Sequence, residues 1–211
     1  MNVVGSSDEF SPLFPNDFLD NIIGRVFVAW DRIPKPITET LETRITKLLR
    51  HQYAYDPVIK QLPFQVRREL TVDDPESGDE LGRIDLCLLH GNDEDVYFAF
   101  ECKRLNVTFD SGFKTLAPAY VGEDGIGCFV AQKYSLGQTC GGMIGYVFDG
   151  QLEVAMESVK DRIKDKANEI ALKSPGLAST SLTVANDYLR ETLHSTPNGE
   201  FVIFHLFVSM T

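Results

Sequence analysis

Asp85, Glu101 and Lys103 are charged residues that lie within segments otherwise typical of buried β-strands. The segment 82–89 reads GRIDLCLL, and the segment 96–104 reads VYFAFECKR. An unpaired carboxylate or ammonium group in such surroundings is energetically costly, so buried charges are usually paired with each other or bound to a metal. The types and positions of these three residues therefore indicate a site for ionic chemistry.

The spacing of the three residues predicts that their side chains converge. Successive side chains of a strand point to opposite faces, so Glu101 and Lys103 share one face. The two apolar segments flank a polar stretch, 90–95, which predicts a β-hairpin. If the hairpin loop is centred on Asp93, Asp85 lies directly opposite Glu101, with Cβ atoms about 5 Å apart.

Two opposed carboxylates oppose each other's ionisation, and a nearby lysine or a divalent cation offsets this effect. An oxygen-rich site that retains water suits Mg²⁺, which predicts Asp85 and Glu101 as metal ligands, with Mn²⁺ as a substitute ion. Such an ion polarises a phosphoryl oxygen and lowers the pKa of water. Lys103 would orient or deprotonate that water, or stabilise developing negative charge. The predicted chemistry is phosphodiester hydrolysis; the alternative is an ion pair on an exposed sheet face.

The periodicity of apolar residues predicts helices and strands on both sides of this hairpin. Gly141 and Gly142 are interpreted as a break before a strand, and the segment 180–194 fits either a strand or a helix. This order of elements predicts an α/β fold with a mixed central sheet flanked by helices. The predicted helices are 16–32, 37–53, 124–135 and 151–173, and the predicted strands are 64–72, 83–89, 96–104, 143–148 and 201–208.

Ile84-Asp85 followed by Glu101-Cys102-Lys103 resembles the signature of the PD-(D/E)xK nuclease superfamily, over an order of elements from about 37 to 172. Ile84 stands where the family name has proline. In that family the Asp and Glu bind metal and the Lys assists the attacking water. The resemblance implies a restriction-endonuclease-like fold with a three-layer core. It also implies a Mg²⁺-dependent endonuclease acting on nucleic acid, DNA in particular, as a homodimer or as a component of a mobile-element or phage-defence system.

The resemblance also implies residues that support the site. The family often carries a glutamate on the helix before the first strand, and Glu42 is preferred here over Glu39. It often places polar residues that contact phosphate or water on the helix after the hairpin. The predicted substrate-binding residues are Gln132, Lys133, Tyr134 and Arg104. By contrast, His205 lies in an apolar strand and is interpreted as a core histidine.

The composition predicts one domain with a full hydrophobic core, since 43% of the 211 residues are hydrophobic. We divide the domain into an N-terminal helical extension (1–36), a nuclease-like core (37–172) and C-terminal strands (173–211). The formal net charge of −11 is unfavourable for binding a polyanion. Basic residues are nevertheless concentrated outside the acidic loops, at Arg44, Lys47, Arg50, Lys60, Arg67, Arg68, Lys103 and Arg104.

The sequence contains no apolar run of membrane-spanning length and no N-terminal segment typical of a secretory signal. The cysteines have no spacing typical of structural zinc, and Cys102 lies in an apolar strand. These features predict a cytoplasmic protein with reduced thiols.

Two functions other than an active nuclease remain open at the level of sequence. One is a nuclease-fold protein that has lost turnover and acts by binding a partner, which the acidic charge favours. The other is a metal-dependent phosphoesterase acting on nucleotides, because an acidic surface hinders a small substrate less than a polymer.

Overall fold

A seven-stranded mixed β-sheet forms the centre of the protein in the computed structural model, which describes residues 14–211 except 36, 38–39, 75–76, 92, 135–136 and 174. The predicted N-terminal extension therefore lies partly outside the described residues. The strands of the sheet are β1 (Phe64–Asp73), β2 (Glu80–His90), β3 (Asp93–Leu105), β6 (Cys140–Val147), β7 (Ala178–Ser179), β8 (Leu189–Thr196) and β9 (Gly199–Ser209), and a separate antiparallel pair consists of β4 (Val107–Phe109) and β5 (Gly112–Lys114). The order in the sheet is β1-β2-β3-β6-β9-β8-β7.

The central strands of this sheet are parallel and the outer ones antiparallel, which confirms the predicted mixed sheet. β6 pairs in parallel with β3 on one side and with β9 on the other. All residues of β6 are buried, as expected of a strand covered on both faces. The predicted break at Gly141 and Gly142 is wrong, because both glycines lie inside β6. A Cβ atom at Gly142 would lie only 2.5 Å from Phe100 Cδ1, so the absence of a side chain lets the phenyl ring pack on the strand.

Helices cover both faces of the sheet and so form three layers. The helices are α1 (Leu19–Asp31), α2 (Glu42–Ala54), α3 (Ala117–Val121), α4 (Ile126–Val130) and α5 (Leu152–Asp165). Apolar residues of α1 and α2 form one core with one sheet face, including Ile45 and Leu86. Residues of α3, α4 and α5 form the second core with the opposite face, including Val159 and Ala99. The predicted α/β class with helices flanking the sheet is therefore confirmed.

Several predicted boundaries are wrong for local reasons. α2 begins at Glu42 and not at 37, and α5 ends at Asp165 and not at 173, although turns beyond it still bury Ile170. The helix predicted for 124–135 ends at Val130, and Gln132 has a positive φ of 55° that no helix accommodates. The ambiguous segment 180–194 contributes the start of strand β8.

The connection between β2 and β3 is shorter than the polar stretch 90–95 suggested. β2 extends to His90, which pairs with Asp93, so only two residues connect the strands. A register shift between Leu89 and His90 then sets the pairing of the rest of the hairpin.

Within the part of the chain that the structure describes, no helix is long and apolar enough to cross a membrane. Cys87, Cys102, Cys128 and Cys140 are buried and carry free thiols.

Candidate active site

The candidate site lies where the ladder between β2 and β3 ends. Leu86 pairs with Phe100, and in the same register the next position brings Asp85 opposite Glu101. This is the register that the sequence predicted. Beyond Phe100, β3 continues to pair with β6 on its other side, from Glu101 to Leu105. One edge of β3 is therefore left open at the position of the predicted motif.

Two carboxylates accept hydrogen bonds from backbone N–H groups of β3 near this point. Asp85 Oδ2 accepts the N–H of Cys102 at 2.8 Å, and Glu42 Oε2 accepts the N–H of Arg104 at 2.8 Å. Residues two apart in a strand direct their N–H groups to the same edge. Asp85 and Glu42 thus take the places that carbonyl groups of a partner strand would fill, and this fixes both carboxylates beside Glu101 and Lys103.

Glu42 is the first residue of α2, so the helix opposite the α3–α5 layer contributes a fourth member to the site. A carboxylate at a helix N-terminus is also favoured by the helix dipole. Its alternative, Glu39, lies outside the described residues. The structure therefore brings Glu42, Asp85, Glu101 and Lys103 together, which are the residues that the sequence proposed as a constellation.

Glu101 and Lys103 form an ion pair with 2.5 Å between Oε1 and Nζ. Glu101 is only 5% exposed, and its second oxygen, Oε2, is buried and has no hydrogen-bond partner within the described structure. A buried carboxylate oxygen without a partner is unfavourable unless a proton or a cation satisfies it. This oxygen is the feature of the site that the protein's own residues leave incomplete.

The site opposes the accumulation of negative charge. Burial, together with the charge of Asp85, raises the pKa of Glu101 to about 8, because Lys103 offsets the two effects only in part. Burial likewise raises the pKa of Asp85, although the Cys102 N–H and Lys103 oppose the rise. Burial raises the pKa of Glu42 as well, and Lys103 opposes it. Near neutral pH the site is therefore poised to hold a proton or to bind a cation.

Lys103 is held in its charged form. Burial lowers its pKa, but the charges of Glu101 and Glu42 outweigh burial and raise the pKa above its usual range. A lysine with a raised pKa is protonated at neutral pH and so cannot remove a proton from water. Of the roles that the sequence left open for Lys103, this electrostatic setting favours orienting water and stabilising negative charge.

Within the described residues, no group of three or more His, Cys, Asp and Glu side chains has a geometry that could hold a metal ion. Asp85, Glu42 and Glu101 each direct one oxygen at a backbone N–H or at Lys103. What remains is a pair of opposed carboxylates with the unpartnered Oε2 of Glu101. Two protein oxygens are few for Ca²⁺ but suit Mg²⁺, which retains several waters.

Gln132, Lys133 and Tyr134 lie after α4, so their predicted placement on a helix is wrong. Tyr134 is buried, and its hydroxyl donates to the Arg83 carbonyl at 2.9 Å and accepts the Arg83 N–H at 3.2 Å. The Gln132 amide donates to Thr196 Oγ1 at 3.3 Å. Tyr134 therefore packs behind the site, where Glu101 adds to the effect of burial in raising its pKa. Lys133 is partly buried in the same turn.

Arg104 contributes its backbone to the site and directs its side chain elsewhere. Its N–H binds Glu42, whereas its guanidinium group lies 5.8 Å from the centre of the Phe109 ring. A cation over an aromatic face is a stabilising contact, so this side chain supports the β4–β5 pair.

Glu69 is a residue of the site that sequence reasoning missed. It has a positive φ of 54°, which is uncommon for a residue other than glycine. It also falls in a gap of the ladder between β1 and β2, where Arg68 pairs with Leu86 and Leu70 with Ile84. Its charge adds to the effect of burial in raising the pKa of Asp85, so it lies close to the site. An alternating strand sequence contains no signal for such a local backbone change.

His205 is a core histidine, as the sequence suggested. It is fully buried, with Nδ1 3.1 Å from the Tyr120 hydroxyl and Nε2 2.8 Å from Thr192 Oγ1. Thr192 Oγ1 also lies 2.7 Å from Nε2 of the buried His194, whose Nδ1 lies 2.8 Å from the Ile170 carbonyl. Every polar atom of this buried chain of hydrogen bonds has a partner, so the network is explained by structure alone.

Comparison of the chain with protein-family models, with curated proteins and with solved structures gave no match.

Proposed function

We propose that this protein is a metal-dependent nuclease of the PD-(D/E)xK superfamily, with a restriction-endonuclease-like core, that hydrolyses phosphodiester bonds in nucleic acid, DNA in particular. The observation that carries the proposal is the convergence of Glu42, Asp85, Glu101 and Lys103 at the open edge of β3, with a buried Glu101 oxygen that lacks a partner. A mixed sheet with helices on both faces is compatible with this fold.

Asp85 and Glu101 are the residues that would hold the cation, Mg²⁺ or Mn²⁺. Glu42 would add a third carboxylate near the cation, from the start of α2. When bound, the cation supplies polarisation of a phosphoryl oxygen and a lowered pKa for water. A second positive charge beside Glu101 also stabilises the ionised form of its carboxyl group, which the protein alone disfavours. Protonated Lys103 orients the attacking water and stabilises the negative charge that develops on the phosphoryl group.

A nuclease-fold protein without turnover is the second candidate. It is favoured by the hydrogen bonds that occupy one oxygen of Asp85 and one of Glu42. These bonds give both carboxylates a structural role, because they satisfy backbone N–H groups of β3 whether or not a metal binds. Binding of DNA without cleavage in either metal would favour it, and release of phosphate from nucleotides without cleavage of polymers would favour a phosphoesterase instead.

Cleavage of plasmid and linear duplex DNA in Mg²⁺ or Mn²⁺ tests the proposal. We expect cleavage to stop in EDTA and to fall at least about 100-fold in Asp85→Asn, Glu101→Gln and Lys103→Met, because the first two remove a charge that would hold the cation and the third removes the positive charge that stabilises the reacting phosphate. Glu157→Gln is the matched control, since Glu157 is exposed on α5 and forms an ion pair with the exposed Lys160. Equal activity of the site variants and the control would contradict the proposal.

A further inference from the structure

A basic groove lies between α2 and β1, near the candidate site. It has a volume of about 500 Å³ and opens to solvent. The side chains that line it are Thr43, Arg44, Lys47, Leu48, Arg68 and Glu69. The lining contains three cationic side chains and one carboxylate, which is an excess of positive charge in a chain whose formal net charge is −11.

Two of the cations have no counter-charge. Arg44 and Lys47 are exposed on α2, and within the described structure neither forms an ion pair. They are three residues apart and so lie on the same side of the helix, where like charges repel. Arg68 forms an ion pair with Glu69, the next residue of β1. An acidic protein that keeps two unpaired cations side by side has a surface suited to an external anion.

The groove adjoins the candidate active site at two points. Arg44 and Thr43 follow Glu42 directly at the start of α2, and the Glu42 carboxylate binds the edge of β3. Glu69, at the other wall, is close enough for its charge to help raise the pKa of Asp85. An extended polyanion in the groove would therefore lead to the carboxylates.

We propose that the α2–β1 groove binds the phosphodiester backbone of the nucleic-acid substrate through Arg44, Lys47 and Arg68. This inference rests on the proposed function for the identity of the polyanion. The lining contains no aromatic side chain on which a base could stack. Contacts with phosphates hold a duplex in register and are independent of sequence. The groove thus accounts for the way in which an acidic protein would hold DNA.

The test is binding of a labelled duplex of about 25 base pairs in EDTA, measured by fluorescence anisotropy over a range of salt concentrations. We expect Arg44→Gln/Lys47→Gln to weaken binding at least about tenfold and to reduce the slope of log affinity against log salt by about 2, because each lost phosphate contact removes about 0.9. Lys160→Gln/Lys164→Gln on α5 removes the same net charge from an exposed surface and should change affinity less than about twofold.

Equal effects of the two double variants, or no effect of either, would overturn the groove as a binding surface. Cleavage by the wild type in Mn²⁺ is measured in parallel, which separates the two proposals. Binding that depends on the groove, without cleavage by the wild type, would support the groove as a binding surface and contradict the proposed nuclease activity. If the wild type cleaves DNA and Arg44→Gln/Lys47→Gln binds it with unchanged affinity, the groove is not the binding surface and the nuclease proposal is retained.

Discussion

Glu101 is the carboxyl group whose ionisation the site opposes most strongly. It is buried, it lies beside Asp85, and one of its oxygens has no hydrogen-bond partner. Its ion pair with Lys103 offsets this only in part. The protein therefore maintains an unfavourable arrangement at this residue, and such arrangements are found at functional sites more often than elsewhere.

The stability of the protein should depend on pH through Glu101. Its pKa is 4.5 in the unfolded chain and about 8 in the folded protein. Between these values the folded state holds a proton that the unfolded state has lost, so the free energy of unfolding falls as pH rises from about 4.5 to 8. Glu101→Gln removes this titration. We expect the variant to gain about 4 kcal/mol relative to wild type between pH 5 and pH 8.5, as measured by urea denaturation.

The exposed Glu157→Gln serves as the control and should follow the wild type at every pH. A second contribution, of opposite sign, comes from the buried histidines: burial lowers the pKa of His205 to about 3 and also lowers that of His194. Through both histidines, the free energy of unfolding falls as pH falls below about 6.5, equally in the wild type and the variant. Parallel curves for wild type and Glu101→Gln between pH 4.5 and 8 would contradict the role assigned to Glu101.

The hairpin of β2 and β3 shows what sequence can predict at the scale of the element. Alternation placed Glu101 and Lys103 on one face, and the pairing of apolar residues is strong enough to set the register that aligns Asp85 with Glu101. The turn itself was predicted less well. A two-residue connection and an irregularity near His90 together give the register that a longer loop centred on Asp93 would give.

Other features of the elements depend on tertiary contacts that a local pattern does not contain. The positive φ of Glu69 arises at a one-residue gap in the ladder between β1 and β2, and its neighbours in sequence alternate as in an ordinary strand. The end of α4 at Val130 leaves Tyr134 to pack against Gly82, where a Cβ atom would lie 3.0 Å from the tyrosine ring. Glycines were interpreted as breaks because sequence alone does not reveal which ring needs the space.

Gly142 tests the packing of the central strand. We expect Gly142→Ala to lower the free energy of unfolding by about 1–3 kcal/mol, because the new Cβ would overlap the Phe100 ring in a close-packed core. Gly24→Ala is the matched control, since its Cβ would lie 3.5 Å from Val184, an ordinary contact, within helix α1. Alanine is the better helix former, so this control should be neutral or stabilising by up to about 1 kcal/mol. Thermal denaturation distinguishes the two, and equal melting temperatures would contradict the packing described for β6.

At the scale of the whole molecule, the distribution of charge matters more than its sum. The net charge of −11 alone would predict repulsion of a polyanion. The folded chain brings Arg44 and Lys47 of α2 beside Arg68 of β1, residues that are distant in sequence. Salt screens charges beyond about 10 Å, so this local surface can act differently from the remainder of the protein.

A crystal structure of the protein soaked in Mn²⁺ tests the central claim most directly. We predict an anomalous density peak between Asp85 and Glu101, about 2.1 Å from an oxygen of each, with water completing the coordination. The peak should be absent from Glu101→Gln crystals treated in the same way. If no peak appears between Asp85 and Glu101 at millimolar Mn²⁺, and the Glu101–Lys103 ion pair is unchanged, a metal-dependent active site is contradicted.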